Sequence, residues 1–183
     1  MKTVTGWFDN YDDANDAVGE LISTGVPRDE ISIVARNATG WHKGDGTEAS
    51  EDAATGAGVG AVVGGAGGLL TGLGLMAIPG VGPVVAAGWL AATAVGAVGG
   101  AVVGGAAGGL VGAMTRAGIP KDDAHVYAEG VRRGGTMVTA KVEDNLVPDA
   151  DRILKQYDSV DVTGRRMEYE AGGWSGFDPN ADV

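Results

Sequence analysis

The sequence predicts an α+β domain interrupted by an uncharged, glycine-rich centre. Three observations lead there. Residues 53–115 hold no Asp, Glu, Lys or Arg, and 20 of the 34 glycines fall among those 63 positions. Eleven acids and four bases precede that span, and thirteen acids and nine bases follow it. Each polar flank carries strand-type and helix-type patterns in alternation. The expected parts are a first β-α-β half over 1–36, a polar linker over 37–52, an uncharged helical hairpin over 53–117, a second half over 118–166 and an acidic tail over 167–183.

In the first half, Thr3-Val4-Thr5-Gly6-Trp7-Phe8 is a short β-type run. Asp9-Asn10 then opens a helix, whose first turns gather Asp9, Asp12, Asp13 and Asp16 where the helix dipole favours anions. Ala14, Ala17, Val18, Leu21 and Ile22 form its apolar stripe, and Thr24-Gly25-Val26-Pro27 stops it. Glu30 to Ala35 is the second strand.

The centre divides at Ile78-Pro79-Gly80-Val81-Gly82-Pro83, a cluster that ends one helix and starts another. Residues 53–76 make about 36 Å of helix and residues 84–115 about 48 Å, against a bilayer core of roughly 30 Å. Glycine recurs there every fourth residue. One ladder is Gly56, Gly60, Gly64, Gly68 and Gly72; the other is Gly96, Gly100, Gly104, Gly108 and Gly112. Residues four apart share a helix face, so each ladder is a side-chain-free ridge on which two backbones can approach closely. Nine glycines in 53–76 would penalise a lone helix in water by roughly 9 kcal/mol. A bilayer, or a dry interior shared by several subunits, restores the helix. The expected partners are thus other copies of the chain, in a homo-oligomer, and membrane lipid. All Lys and Arg lie on the flanks, which places both termini in the cytoplasm if the hairpin inserts. A cytoplasmic assembly and a small pore are the alternatives, and the uncharged span argues against a conducting lumen. No signal peptide is expected ahead of the polar, Asp-rich start.

The second half repeats the first. Asp122 to Arg133 is an added helix, Met137 to Val142 a strand, Ala150, Ile153, Leu154 and Tyr157 a helix face, and Ser159 to Val162 a closing strand. Two β-α-β units in one sheet make a ferredoxin-like split domain, with the glycine-zipper hairpin inserted between its halves. The tail holds Tyr169, Trp174 and Phe177 among glycines and acids, as either a disordered end or a short docking peptide.

Composition narrows the chemistry. A net charge of −11 argues against nucleic acid as a partner. Zero Cys removes thiolate chemistry, and only His42 and His125 could serve as imidazole bases or ligands. Gly56-x-Gly58-x-x-Ala61 and Gly72-x-Gly74-x-x-Ala77 match a loose dinucleotide pattern, but neither follows a strand. The acids of the first helix lack the calcium-loop glycine and final glutamate. Arg132-Arg133 and Arg165-Arg166 are either lipid-phosphate contacts or ordinary surface charge. No catalytic residue, cofactor, metal or small-molecule substrate is expected.

Val4-Thr5-Gly6-Trp7-Phe8-Asp9, Ala14, Ala17-Val18, Leu21 and Gly25-Val26-Pro27-Arg28-Asp29-Glu30-Ile31-Ser32-Ile33-Val34 resemble the N-terminal module of bacterial general stress proteins of the YflT type, the heat-induced stress domain. Gly118-Ile119-Pro120 and Tyr127-x-Glu129-Gly130-Val131-Arg132-Arg133-Gly134-Gly135 resemble the second half of relatives with a glycine-zipper middle. The resemblance implies a stress-linked, often membrane-associated bacterial protein, and carries no catalytic residues with it.

Overall fold

In a computed structural model, the residues described are 1–37, 40, 74–78, 81–90 and 109–179. Their elements, in chain order, are β1 (Lys2–Phe8), α1 (Tyr11–Ser23), a 3-10 turn (Arg28–Glu30), β2 (Ile31–Arg36), β3 (Gly74–Ile78), β4 (Gly82–Ala87), α2 (Leu110–Arg116), α3 (Lys121–Arg132), β5 (Thr136–Val142), α4 (Val147–Gln156) and α5 (Val162–Ala171). This is an α+β fold. The strands form one antiparallel sheet in the order β1-β5-β2-β4-β3.

Alternation along β1 sends its side chains to two cores. Val4 and Phe8 join Ala14, Ala17, Val18 and Leu21 of α1 and Ala150, Ile153 and Leu154 of α4. Trp7 points the other way, into a cluster with Leu110 and Met114 of α2, Val126 and Val131 of α3, and Tyr169 of α5. Helices therefore cover both faces. The inner strand β5, between β1 and β2, is buried on both sides in consequence: Met137 faces one core, Val138 and Ala140 the other.

α1 begins where the sequence places it. The Asn10 side chain accepts from the Asp13 amide at 2.9 Å, the first link of an N-cap. β1, β2, β5, α3 and α4 likewise fall on their expected segments.

Two expectations are corrected. The cluster Ile78–Pro83 was expected to separate two helices, over 53–76 and 84–115. It closes a β-hairpin instead, with Ile78 opposite Gly82 and Gly74 opposite Ala86. The reason is the edge of β2, whose backbone groups would otherwise stay open; β4 pairs along it from Ile33–Ala87 to Arg36–Val84. Val84 and Ala86 fill one core and Val85 the other, a period of two that a helix cannot supply. Helix is present at the C-terminal end of the second stretch, as α2. Residues 53–73 and 91–108 lie outside the described residues, and so do all ladder glycines except Gly112, which is half-buried in α2.

The second correction concerns Ser159–Val162. The Val160 amide donates to the Trp7 carbonyl at 2.7 Å, and the ladder stops there. Asp161 turns the chain into a helix by accepting from the Thr163 and Gly164 amides at 3.3 and 3.0 Å. A boundary at 166 thus falls inside α5, and 167–171 is helix rather than tail.

Candidate functional site

Ionic and aromatic side chains concentrate where α3, α5 and the C-terminal segment meet over Trp7. Glu129, on α3, is fully buried. Its Oε1 accepts from Arg132 Nη2 and from Arg133 Nε, both at 2.7 Å. Glu129, Arg132 and Arg133 stand three and four residues apart on one helix, so the local geometry is dictated by sequence. Burial pushes the Glu129 carboxyl up, but the two guanidiniums prevail and hold it below the usual glutamate range.

Those guanidiniums then reach aromatic rings. Arg133 lies 4.3 Å from the Tyr169 ring centroid and Arg132 lies 5.8 Å from that of Phe177. From α5, Arg165 sits 4.8 Å over Trp7 while bonding Asp9 at 3.0 Å. Burial disfavours the Arg165 charge, yet the Asp9 carboxylate outweighs it and raises its pKa. Arg166 binds Asp123 at 2.5 Å. The Tyr169 phenol is pushed up by burial, against the pull of Arg133 and Arg165. Both arginine pairs are thus committed to partners inside the fold.

Trp7 is the hub. Its ring lies 6.2 Å from Tyr169 and is roofed by backbone at Gly130 and Gly135. A methyl group at Gly130 would stand 2.5 Å from the indole, and one at Gly135 2.0 Å from Nε1. Glycine at both positions is what lets α3 and the start of β5 close on the tryptophan.

Beside this cluster, Lys121, Asp122, His125, Arg166, Glu170 and Trp174 line an open cleft of about 300 Å³. Half-buried His125 is no free base: its Nδ1 accepts the Phe177 amide at 3.2 Å. A second cleft, of about 360 Å³, runs between α1 and Tyr157. Among the described residues, no group of His, Asp and Glu converges for a metal ion, and no helix is long and apolar enough to cross a membrane.

The other constellation docks the chain after β4. Trp89 Nε1 donates to the Glu30 carbonyl at 2.9 Å, and Lys141 Nζ lies 4.0 Å above the Trp89 ring and 3.8 Å from Glu30 Oε2.

Of the residues singled out by sequence, Gly112 is described but stands apart from both clusters, in α2, and its nine companions and His42 lie outside the described residues. Sequence reasoning missed Glu129 as an anchor, although its spacing to two arginines on one helix was legible. It missed the convergence on Trp7 altogether, since nothing local joins Trp7 to Tyr169.

No family model matches the chain, and no curated protein and no solved structure matches it.

Proposed function

We propose that this is a non-enzymatic, stress-linked protein that self-associates through its two glycine ladders, with the α+β domain as their carrier. The carrying observation is the pair of uninterrupted five-glycine ladders within 63 uncharged residues. The carrier has a ferredoxin-like frame in this reading. Support comes from the first unit, β1-α1-β2, and the second, β5-α4 followed by residues 159–161. They bring α1 and α4 to the same face, and Val160 to the outer edge of β1. The resemblance to bacterial stress domains supplies the stress link.

The ends of the glycine-rich spans favour subunit packing over a bilayer crossing. Leu90 and Leu110, which bracket residues 91–108, belong to one core cluster. A path of 18 residues that leaves and rejoins the same core is too short to cross a bilayer and come back, which takes about 40 helical residues. Residues 41–73 likewise depart after β2 and rejoin the same sheet at Gly74. A cytoplasmic homo-oligomer satisfies both closures; lipid contact is then peripheral.

The test is a Gly64→Leu, Gly104→Leu double variant. Sedimentation should show a smaller assembly, with the circular dichroism of the domain retained; unchanged size rejects the ladders as the interface. An alkaline carbonate wash of membranes from expressing cells should release the wild-type chain. Retention in the pellet would instead support an inserted form at the inner membrane.

A further inference from the structure

We propose that Met167 is a reversible oxidation site, at which the protein takes an oxygen atom from peroxide without loss of its fold. The chain holds five methionines and no cysteine, so its sulfur chemistry is that of the thioether alone. Among the described residues, two large apolar side chains are left in water, and both are methionines: Met1 at 69% exposure and Met167 at 60%. Met114 and Met137 are fully buried, in the core that holds Trp7.

The period of α5 accounts for the exposure. Arg165 lies over the Trp7 ring and buried Tyr169 packs beside it, so these two residues define the inner face of the helix. Met167 stands two residues from each, about 200° around the helix, on the side turned away from the domain.

The chemistry balances in both directions. A lone pair of the sulfur takes one oxygen from hydrogen peroxide; the O–O bond breaks, the sulfide is oxidised to a sulfoxide, and the peroxide is reduced to water. Two thiols return the sulfide through a sulfoxide reductase, with one disulfide and one water as the other products. Place decides whether the product is a mark or a lesion. The sulfoxide oxygen is polar: on Met167 water solvates it, whereas on Met114 or Met137 it would be buried among apolar side chains. A core sulfur is also reached only when the fold opens, which slows its reaction.

The experiment exposes the folded, full-length chain to excess hydrogen peroxide. Peptide mass spectrometry follows each methionine, and circular dichroism follows the fold. Met167 should gain one oxygen at least roughly tenfold faster than Met114 and Met137, while the dichroism stays native. Methionine sulfoxide reductases of both stereochemical specificities, with a thiol, should then restore the sulfide in the folded chain. Conversion of Met167 no faster than that of the buried pair overturns the proposal. So does a loss of native dichroism that keeps pace with Met167 oxidation, or a sulfoxide that the reductases remove only after the chain is unfolded.

Discussion

Glycine does opposite jobs in the two regions of this chain. In the polar flanks it is irregularly spaced, and the important cases answer to one neighbour each: Gly130 and Gly135 to the Trp7 indole. One glycine of the centre is of this kind too: Gly88, just after β4, has φ +91° and a Cβ position 2.1 Å from the Ile31 carbonyl oxygen. In the uncharged centre ten of the twenty glycines fall on two four-residue ladders, and the proposed reading takes its meaning from that repeat. A ladder can be read from sequence, because spacing alone defines a face. A close approach cannot, because its partner comes from a distant segment.

Substitutions can break or sharpen that contrast. The largest loss is expected for Gly88→Ala, which combines a left-handed backbone with a collision against main chain that cannot move aside. Urea denaturation should show about 3–5 kcal/mol less stability. Next comes Glu129→Gln, which leaves two guanidiniums without their carboxylate, at about 2–4 kcal/mol near neutral pH. Its pH dependence has a definite sign. An unfolded glutamate titrates near 4.5 and the folded Glu129 lower. The stability it adds is therefore complete above that value and disappears as pH falls through the folded one. Melting curves of wild type and Glu129→Gln should converge in acid. Gly130→Ala gains helix propensity but drives a methyl into Trp7, for a net loss of about 1–3 kcal/mol and a displaced tryptophan emission. The smallest effect has the opposite sign. Gly19, in α1, has nothing within 4 Å of its Cβ position. Gly19→Ala should therefore stabilise by about 0.5–1 kcal/mol, seen as a raised Tm. A loss at Gly19, or none at Gly88, would erase the distinction between glycines that a close neighbour requires and those that none requires.

Much of the domain was legible because its signals are local. Asn10 capping α1, the stripe Ala14–Ala17–Val18–Leu21, and the alternation in β5 each need only a few neighbouring residues. β3 and β4 were not legible, because Gly, Ala and Val without charges present neither period clearly. The open edge of β2, some fifty residues earlier, decided them. Ser159–Val162 has the composition of a strand, and one capping aspartate, Asp161, diverted it into α5. The cluster on Trp7 was half legible: the Glu129–Arg132–Arg133 spacing lies in one helix, while the aromatic partners arrive from β1 and the C-terminal segment.

The lone bond from Val160 to Trp7 has a further consequence. Among the described residues no strand lies along the outer side of β1, so the main-chain groups of Thr3 and Thr5 on that side have no ladder. Bare strand margins invite runaway polymerisation. β1 is seven residues long, so brevity does not blunt that margin; the positive charge of Lys2 at its start is a feature that discourages pairing there.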